Sequence, residues 1–164
     1  MLKYLYCKEV FSEVPEEITL ALSISNCQIH CNECNQKELW ADIGSPLHNN
    51  SLNHLISLHD GISCVCFMGS GNKEYQELNT LAKVVKEKGL KVALYLGENV
   101  IPAELDMSLY DYIKIGPYQS DKGGLDSPNT NQKMYLIHHD NSKKGTYWCT
   151  DITYKFLKNN ENQN

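Results

Sequence analysis

No stretch of this chain is apolar for long enough to span a bilayer. Its first ten residues, broken by Lys3, Lys8 and Glu9, lack the apolar run and the cleavage site of an export signal. Both absences predict a cytoplasmic protein with no membrane partner. Basic residues are also in deficit: 15 Lys and Arg stand against 20 Asp and Glu, for a net charge of −5 and a pI near 5.6. A nucleic-acid surface needs a basic patch, and none is expected here. There is no internal repeat and no linker, so the 164 residues read as one domain over 1–158 with a polar, frayed tail at 159–164. Without an export signal, an odd count of seven cysteines reads as reduced thiols or ligands, not as a disulfide framework.

What the chain does have is 41% apolar residues, enough for a core, in a length short of an eight-stranded barrel. Residues 2–11 alternate loosely and predict an edge strand. Aliphatic runs at 18–24, 62–67, 91–96, 112–115 and 133–138 predict further strands. The clearest helix is 73–88, with Tyr75, Leu78, Leu81, Ala82 and Val85 on one stripe, Asn72 to cap it and Gly89 to end it. Shorter helices are expected at 35–41, after Ser51 as N-cap, and weakly at 103–109. Residues 119–132 lack periodicity and predict a long loop. Residues 147–156 predict a closing strand or helix. Strands alternating with helices imply parallel β-α units, whose ligands lie beyond the C-terminal strand ends.

One of those ends carries Ser25-Asn26-Cys27-Gln28-Ile29-His30-Cys31-Asn32-Glu33-Cys34. Thiolates bind soft metals and iron–sulfur clusters. A four-iron cluster wants four ligands, and Cys27, Cys31 and Cys34 supply three. One iron is then left open to a ligand that takes part in chemistry, whereas a structural zinc site is closed by four protein ligands. His30 is a possible fourth zinc ligand, but it stands awkwardly beside Cys31.

The C-x3-C-x2-C spacing resembles the cluster motif of the radical S-adenosylmethionine enzymes. Val14-Pro15-Glu16-Glu17-Ile18-Thr19-Leu20-Ala21 leads into the motif and Glu38-Leu39-Trp40 closes it. Tyr112-Ile113-Lys114-Ile115-Gly116-Pro117-Tyr118, Gly123-Gly124-Leu125-Asp126-Ser127-Pro128 and Thr130-Asn131-Gln132 follow. Together these runs, from the first strand to Gln132, resemble the small activating proteins of anaerobic ribonucleoside-triphosphate reductase. The resemblance implies an α/β fold, a partial open (β/α) barrel of the radical SAM type. It implies a 4Fe–4S cluster on Cys27, Cys31 and Cys34, and S-adenosylmethionine as the second cofactor. The product would be a glycyl radical on the reductase, with an electron donor such as flavodoxin or ferredoxin as a further partner. No side chain beyond the cluster ligands need act in catalysis.

Gly69, Ser70 and Gly71 stand where the superfamily often has Gly-Gly-Glu or Gly-Gly-Asp, a motif that meets the methionine amino group. Gly69 matches. Ser70 replaces the second glycine and Gly71 the acid, which leaves backbone carbonyls and the Ser70 hydroxyl as acceptors. The resemblance implies that the Glu33 backbone would meet the adenine. Its carboxylate, if unsolvated, would lower the cluster potential; solvation is equally expected. Cys64 and Cys66 share a strand face and read as buried thiols. His138 and His139 face opposite sides of a strand, against a joint metal site. The glycine-bearing loop 123–132 reads equally as a docking segment and as a solvated loop. Two other readings remain from the sequence: a radical enzyme acting on a peptide or small molecule, and a non-catalytic zinc- or cluster-binding module.

Overall fold

The computed structural model describes residues 1–69 and 72–158. One sheet holds every strand among the described residues: β1 (Lys3–Val10), β2 (Thr19–Ile24), β3 (Ser45–Pro46), β4 (Cys64–Met68), β5 (Lys91–Tyr95), β6 (Tyr112–Ile115), β7 (Lys133–His139) and β8 (Tyr147–Asp151). Their order across the sheet is β3-β1-β2-β4-β5-β6-β7-β8. The centre, β2-β4-β5-β6, is parallel. β1, β3, β7 and β8 add antiparallel margins. The fold is therefore α/β with a mixed, open eight-stranded sheet and two α-helices, α1 (Asn49–Ser57) and α2 (Tyr75–Glu87). No helix among the described residues is long and apolar enough to cross a membrane.

Alternation along the strands decides which face each side chain takes. Leu20, Leu22, Ile24, Val65, Phe67, Val92, Leu94 and Ile113 form one core with Leu52 of α1 and with Leu78, Leu81, Ala82 and Val85 of α2. Cys64, Cys66, Ala93, Tyr112 and Met134 line the other face, where Val14, Leu125 and Ile152 cover them. The parallel strands are buried on both faces, so their sequences read as apolar runs and not as alternation.

Several boundaries differ from the sequence reading for local reasons. Lys73 has φ +63°, a left-handed value that no helical residue takes, so α2 begins at Tyr75. Asn72 still accepts a hydrogen bond from the Glu74 N–H, at 3.3 Å. Gly89, at φ +74°, ends the helix as expected. α1 is capped by His48, whose Nδ1 accepts from the Ser51 N–H at 3.2 Å; Ser51 answers from the third helical position. Residues 35–41 and 103–109 contribute only 3-10 turns, Lys37–Trp40 and Met107–Leu109. Residues 147–156 divide between β8 and a 3-10 turn, Thr153–Phe156. Residues 140–146 are too short to cross over the sheet, so β7 and β8 form a hairpin.

Candidate functional site

The cysteine loop leaves the C-terminal end of β2 and is tied shut at its base. Asn26 N–H donates to the Ala41 carbonyl (3.0 Å) and Cys27 N–H to the Leu39 carbonyl (2.8 Å). Within it, Cys34 N–H donates to the Cys31 carbonyl at 3.2 Å, and Gln36 N–H reaches Cys34 Sγ at 3.4 Å. Five non-glycine residues among those described have positive φ, and three of them are Asn26 (61°), His30 (50°) and Glu33 (55°). Each immediately precedes one of the three cysteines. The chain thus makes the same uncommon left-handed bend before every thiol. Such bends are retained where the surrounding structure imposes them, and they cluster at ligand clamps. Cys27, Cys31 and Cys34 are half-buried and unbonded to one another.

Two neighbours hold the loop against the sheet. A Cβ on Gly97, just past β5, would lie 2.7 Å from Ile29 Cγ1, so the absence of a side chain is what lets the loop settle there. The His30 ring stacks on Trp40 with centroids 4.6 Å apart, and Lys37 lies 5.8 Å from the Trp40 centroid. Trp40 Nε1 is buried without a hydrogen-bond partner.

Below the loop lies Lys114, a residue the sequence reading passed over. It is 8% exposed, on the same sheet face as Cys64, Cys66 and Tyr112. Its Nζ donates to the carbonyls of Gly116 (2.7 Å) and Leu96 (3.3 Å) and lies 5.8 Å from the Tyr95 ring centroid. Burial pulls its pKa down to about 8, while Cys31, Cys27 and Glu98 pull the other way. A charged lysine in an otherwise apolar Tyr-Ile-Lys-Ile strand was the available signal: no lysine is buried at such a place without compensation. It sets a positive charge under the part of the loop that carries Cys27 and Cys31.

Gly69 follows β4 at φ +81°, and a Cβ there would meet the Ile24 carbonyl oxygen at 2.5 Å and Leu39 Cδ1 at 3.4 Å. The start of the β4 loop is thus packed on the base of the cysteine loop, so these two sequence motifs do come together. A side chain at Gly69 would push the backbone apart, whatever ligand is bound. Ser70 and Gly71 lie outside the described residues. Glu33 is exposed, so water screens its carboxylate. Cys64 and Cys66 are fully buried; burial pushes the Cys64 thiol up to about 12 and raises Cys66 as well, which leaves both inert. His138 bonds Thr150 and stacks on Trp148, while His139 reaches the Tyr110 carbonyl, so the two histidines share no site.

The loop after β6 is anchored more firmly than a solvated loop. Asn131 Nδ2 donates to the Pro117 carbonyl at 2.9 Å, and Leu125 is 9% exposed within the second core. Only its rim, including Asp126, Pro128 and Asn129, is exposed. Among the described residues no three His, Cys, Asp or Glu side chains converge as tightly as a single metal ion requires. A cubane takes one thiolate per iron, which spaces its sulfurs more widely than donors around one ion. Three half-exposed thiols on one pinned loop, with a buried ammonium beneath, fit that donor set.

No family model matches the chain, and no curated protein matches it significantly.

Proposed function

We propose that the protein is a radical S-adenosylmethionine activase of an anaerobic ribonucleoside-triphosphate reductase, built as a partial open (β/α) barrel. The left-handed bend before each of Cys27, Cys31 and Cys34 carries this reading, because the same backbone turn precedes all three thiols of one pinned loop. Cys27, Cys31 and Cys34 would hold the cluster, which, reduced by a donor such as flavodoxin or ferredoxin, would supply the electron for reductive cleavage of S-adenosylmethionine. The chain's own part is to hold and exclude. Asn26 and Cys27 close the loop, Gly97 seats it through Ile29, and Lys114 offsets negative charge below it. The β4 loop at Gly69 borders the same rim, and the exposed edge of loop 123–132 would help dock the glycine-bearing segment of the reductase. A zinc module would need a fourth protein ligand beside the three thiols, and His30, the candidate on this loop, is stacked on Trp40 instead.

Anaerobic reconstitution with iron and sulfide tests the cofactor. Four irons per chain are expected, and Cys31→Ala should fail to hold a complete cluster. Mixing the loaded protein with S-adenosylmethionine, a reductant and the reductase should produce a glycyl radical in the electron paramagnetic resonance spectrum. Zinc in place of iron would overturn the whole reading. Cleavage of S-adenosylmethionine without any glycyl radical would overturn the activase and leave the superfamily standing.

A further inference from the structure

Glu98 follows Gly97 at the C-terminal end of β5 and is half-buried. Its carbonyl accepts from the Gly116 N–H at 2.7 Å, which fixes the backbone to the next strand. Its carboxylate is used on one side only. Oε1 accepts from the Tyr75 hydroxyl at 2.6 Å, whereas Oε2 is buried with no hydrogen-bond partner. Of the buried side-chain atoms left in that state among the described residues, it is the one that belongs to a carboxylate. A buried carboxylate oxygen without a donor is costly, and such a group calls for an explanation. Lys114, whose charge Glu98 influences, gives its hydrogen bonds to two backbone carbonyls and makes no ion pair with Glu98.

The position of Glu98 says which donor is missing. On one side Gly97 touches Ile29 of the cysteine loop; on the other, Tyr75 opens α2 directly after the β4 loop. Glu98 thus follows the residue that seats the cysteine loop and is bonded to the first residue of α2, and Gly69, Ser70 and Gly71 offer no carboxylate of their own. We infer that Glu98 Oε2 accepts a hydrogen bond from the α-amino group of bound S-adenosylmethionine. This rests on the functional reading above. An amine that chelates iron keeps two N–H donors, so chelation and this hydrogen bond are compatible. Glu98 is then a binding residue that selects for the amino group, with Tyr75 as its positioning residue.

The test pairs one substitution with one change in the ligand. Cluster-loaded wild-type protein and Glu98→Gln are titrated anaerobically with S-adenosylmethionine and with its analogue bearing hydrogen in place of the amino group. Equilibrium dialysis reads affinity, and the spectrum of the reduced cluster reads occupancy. Glu98→Gln should weaken S-adenosylmethionine about tenfold, the scale of a lost hydrogen bond to a charged acceptor. The analogue should bind both proteins equally. Tyr75→Phe, which keeps the carboxylate but frees it to turn, should weaken S-adenosylmethionine by less. If Glu98→Gln does not fold, Glu98→Asp carries the same comparison through its shortened carboxylate. Equal loss for both ligands, or no loss for either, overturns the role of Glu98 while the functional reading stands. A loaded wild-type protein that binds no S-adenosylmethionine overturns the functional reading, and this inference with it.

Discussion

Replacing Glu17 by alanine should loosen the end of the sheet farthest from the cysteine loop. Glu17 is 6% exposed and precedes β2. Its carboxylate accepts hydrogen bonds from Lys91 Nζ, from Ser63 Oγ (2.5 Å) and from the Tyr112 hydroxyl (2.8 Å). One side chain thus binds the starts of four adjacent parallel strands. In Glu17→Ala, Lys91 has 51% of its side chain exposed and can turn to water, so its loss counts for little. Ser63 keeps the Ile18 carbonyl at 3.4 Å. The buried Tyr112 hydroxyl keeps nothing, which costs about 1–3 kcal/mol. With some residual charge loss, about 2–3 kcal/mol is expected for Glu17→Ala, and about 1 kcal/mol for Glu17→Gln, which preserves an acceptor. Urea unfolding of the metal-free, reduced protein measures both. In a Tyr112→Phe background Glu17→Ala should cost less, because the orphaned hydroxyl is gone. Burial alone would raise the Glu17 pKa, but the bonds from Lys91, Ser63 and Tyr112 outweigh it and hold the carboxyl below its ordinary 4.5. Its contribution is therefore complete above that value and is lost as pH falls through the lower folded pKa. Wild type and Glu17→Gln should converge in stability in acid. A loss under about 0.5 kcal/mol for Glu17→Ala, or strict additivity with Tyr112→Phe, would refute the reasoning.

Two further outcomes concern the site. Lys114→Met should stabilise the metal-free protein at neutral pH by at most roughly 3 kcal/mol, the equivalent of a fall from 10.5 to about 8. Because the unfolded chain holds more protons between those values, wild-type stability should rise across that window, and Lys114→Met should lack the rise. In the loaded protein, loss of the positive charge should make the cluster harder to reduce; an unchanged midpoint potential would place Lys114 outside its field. Gly97→Ala should lower iron content by pressing on Ile29, at a cost of about 1–3 kcal/mol, and adding Ile29→Ala should restore it. Failure of that rescue would mean Gly97 acts elsewhere.

Strands and the long helix were legible because burial on both faces leaves apolar runs at 62–67 and 91–96, and because α2 keeps a clean stripe. The cysteine motif was legible as spacing. Its bends at Asn26, His30 and Glu33 were not, since even Asn and His, which enter the left-handed region more readily than most, are usually found outside it, and Glu33 is not one of the residue types enriched there. The two-residue β3 is too short to show any period. Lys114 could have been found as a lone charge within an apolar strand, and Leu125 as a lone apolar residue within a polar loop. Glu98 could not: its importance is an unmet hydrogen bond, visible only once Tyr75 and Gly116 stand beside it. Glu17 belongs to one of the runs on which the sequence resemblance rests, yet its observed work is mechanical.

The contacts that close the cysteine loop join near neighbours in the chain, Asn26 with Ala41 and Cys27 with Leu39. Glu17 instead reaches partners 74 and 95 residues away. The closure of the cysteine loop is thus local whereas the Glu17 clasp is long-range, and local contacts form before distant ones repay their closure entropy. The thiol loop belongs to the early-forming part of the chain, whereas the clasp at the opposite end waits for β6. During synthesis all three thiols emerge long before Gly97 and Lys114 do, so the loop can close on itself before the residue that seats it and the ammonium beneath it exist.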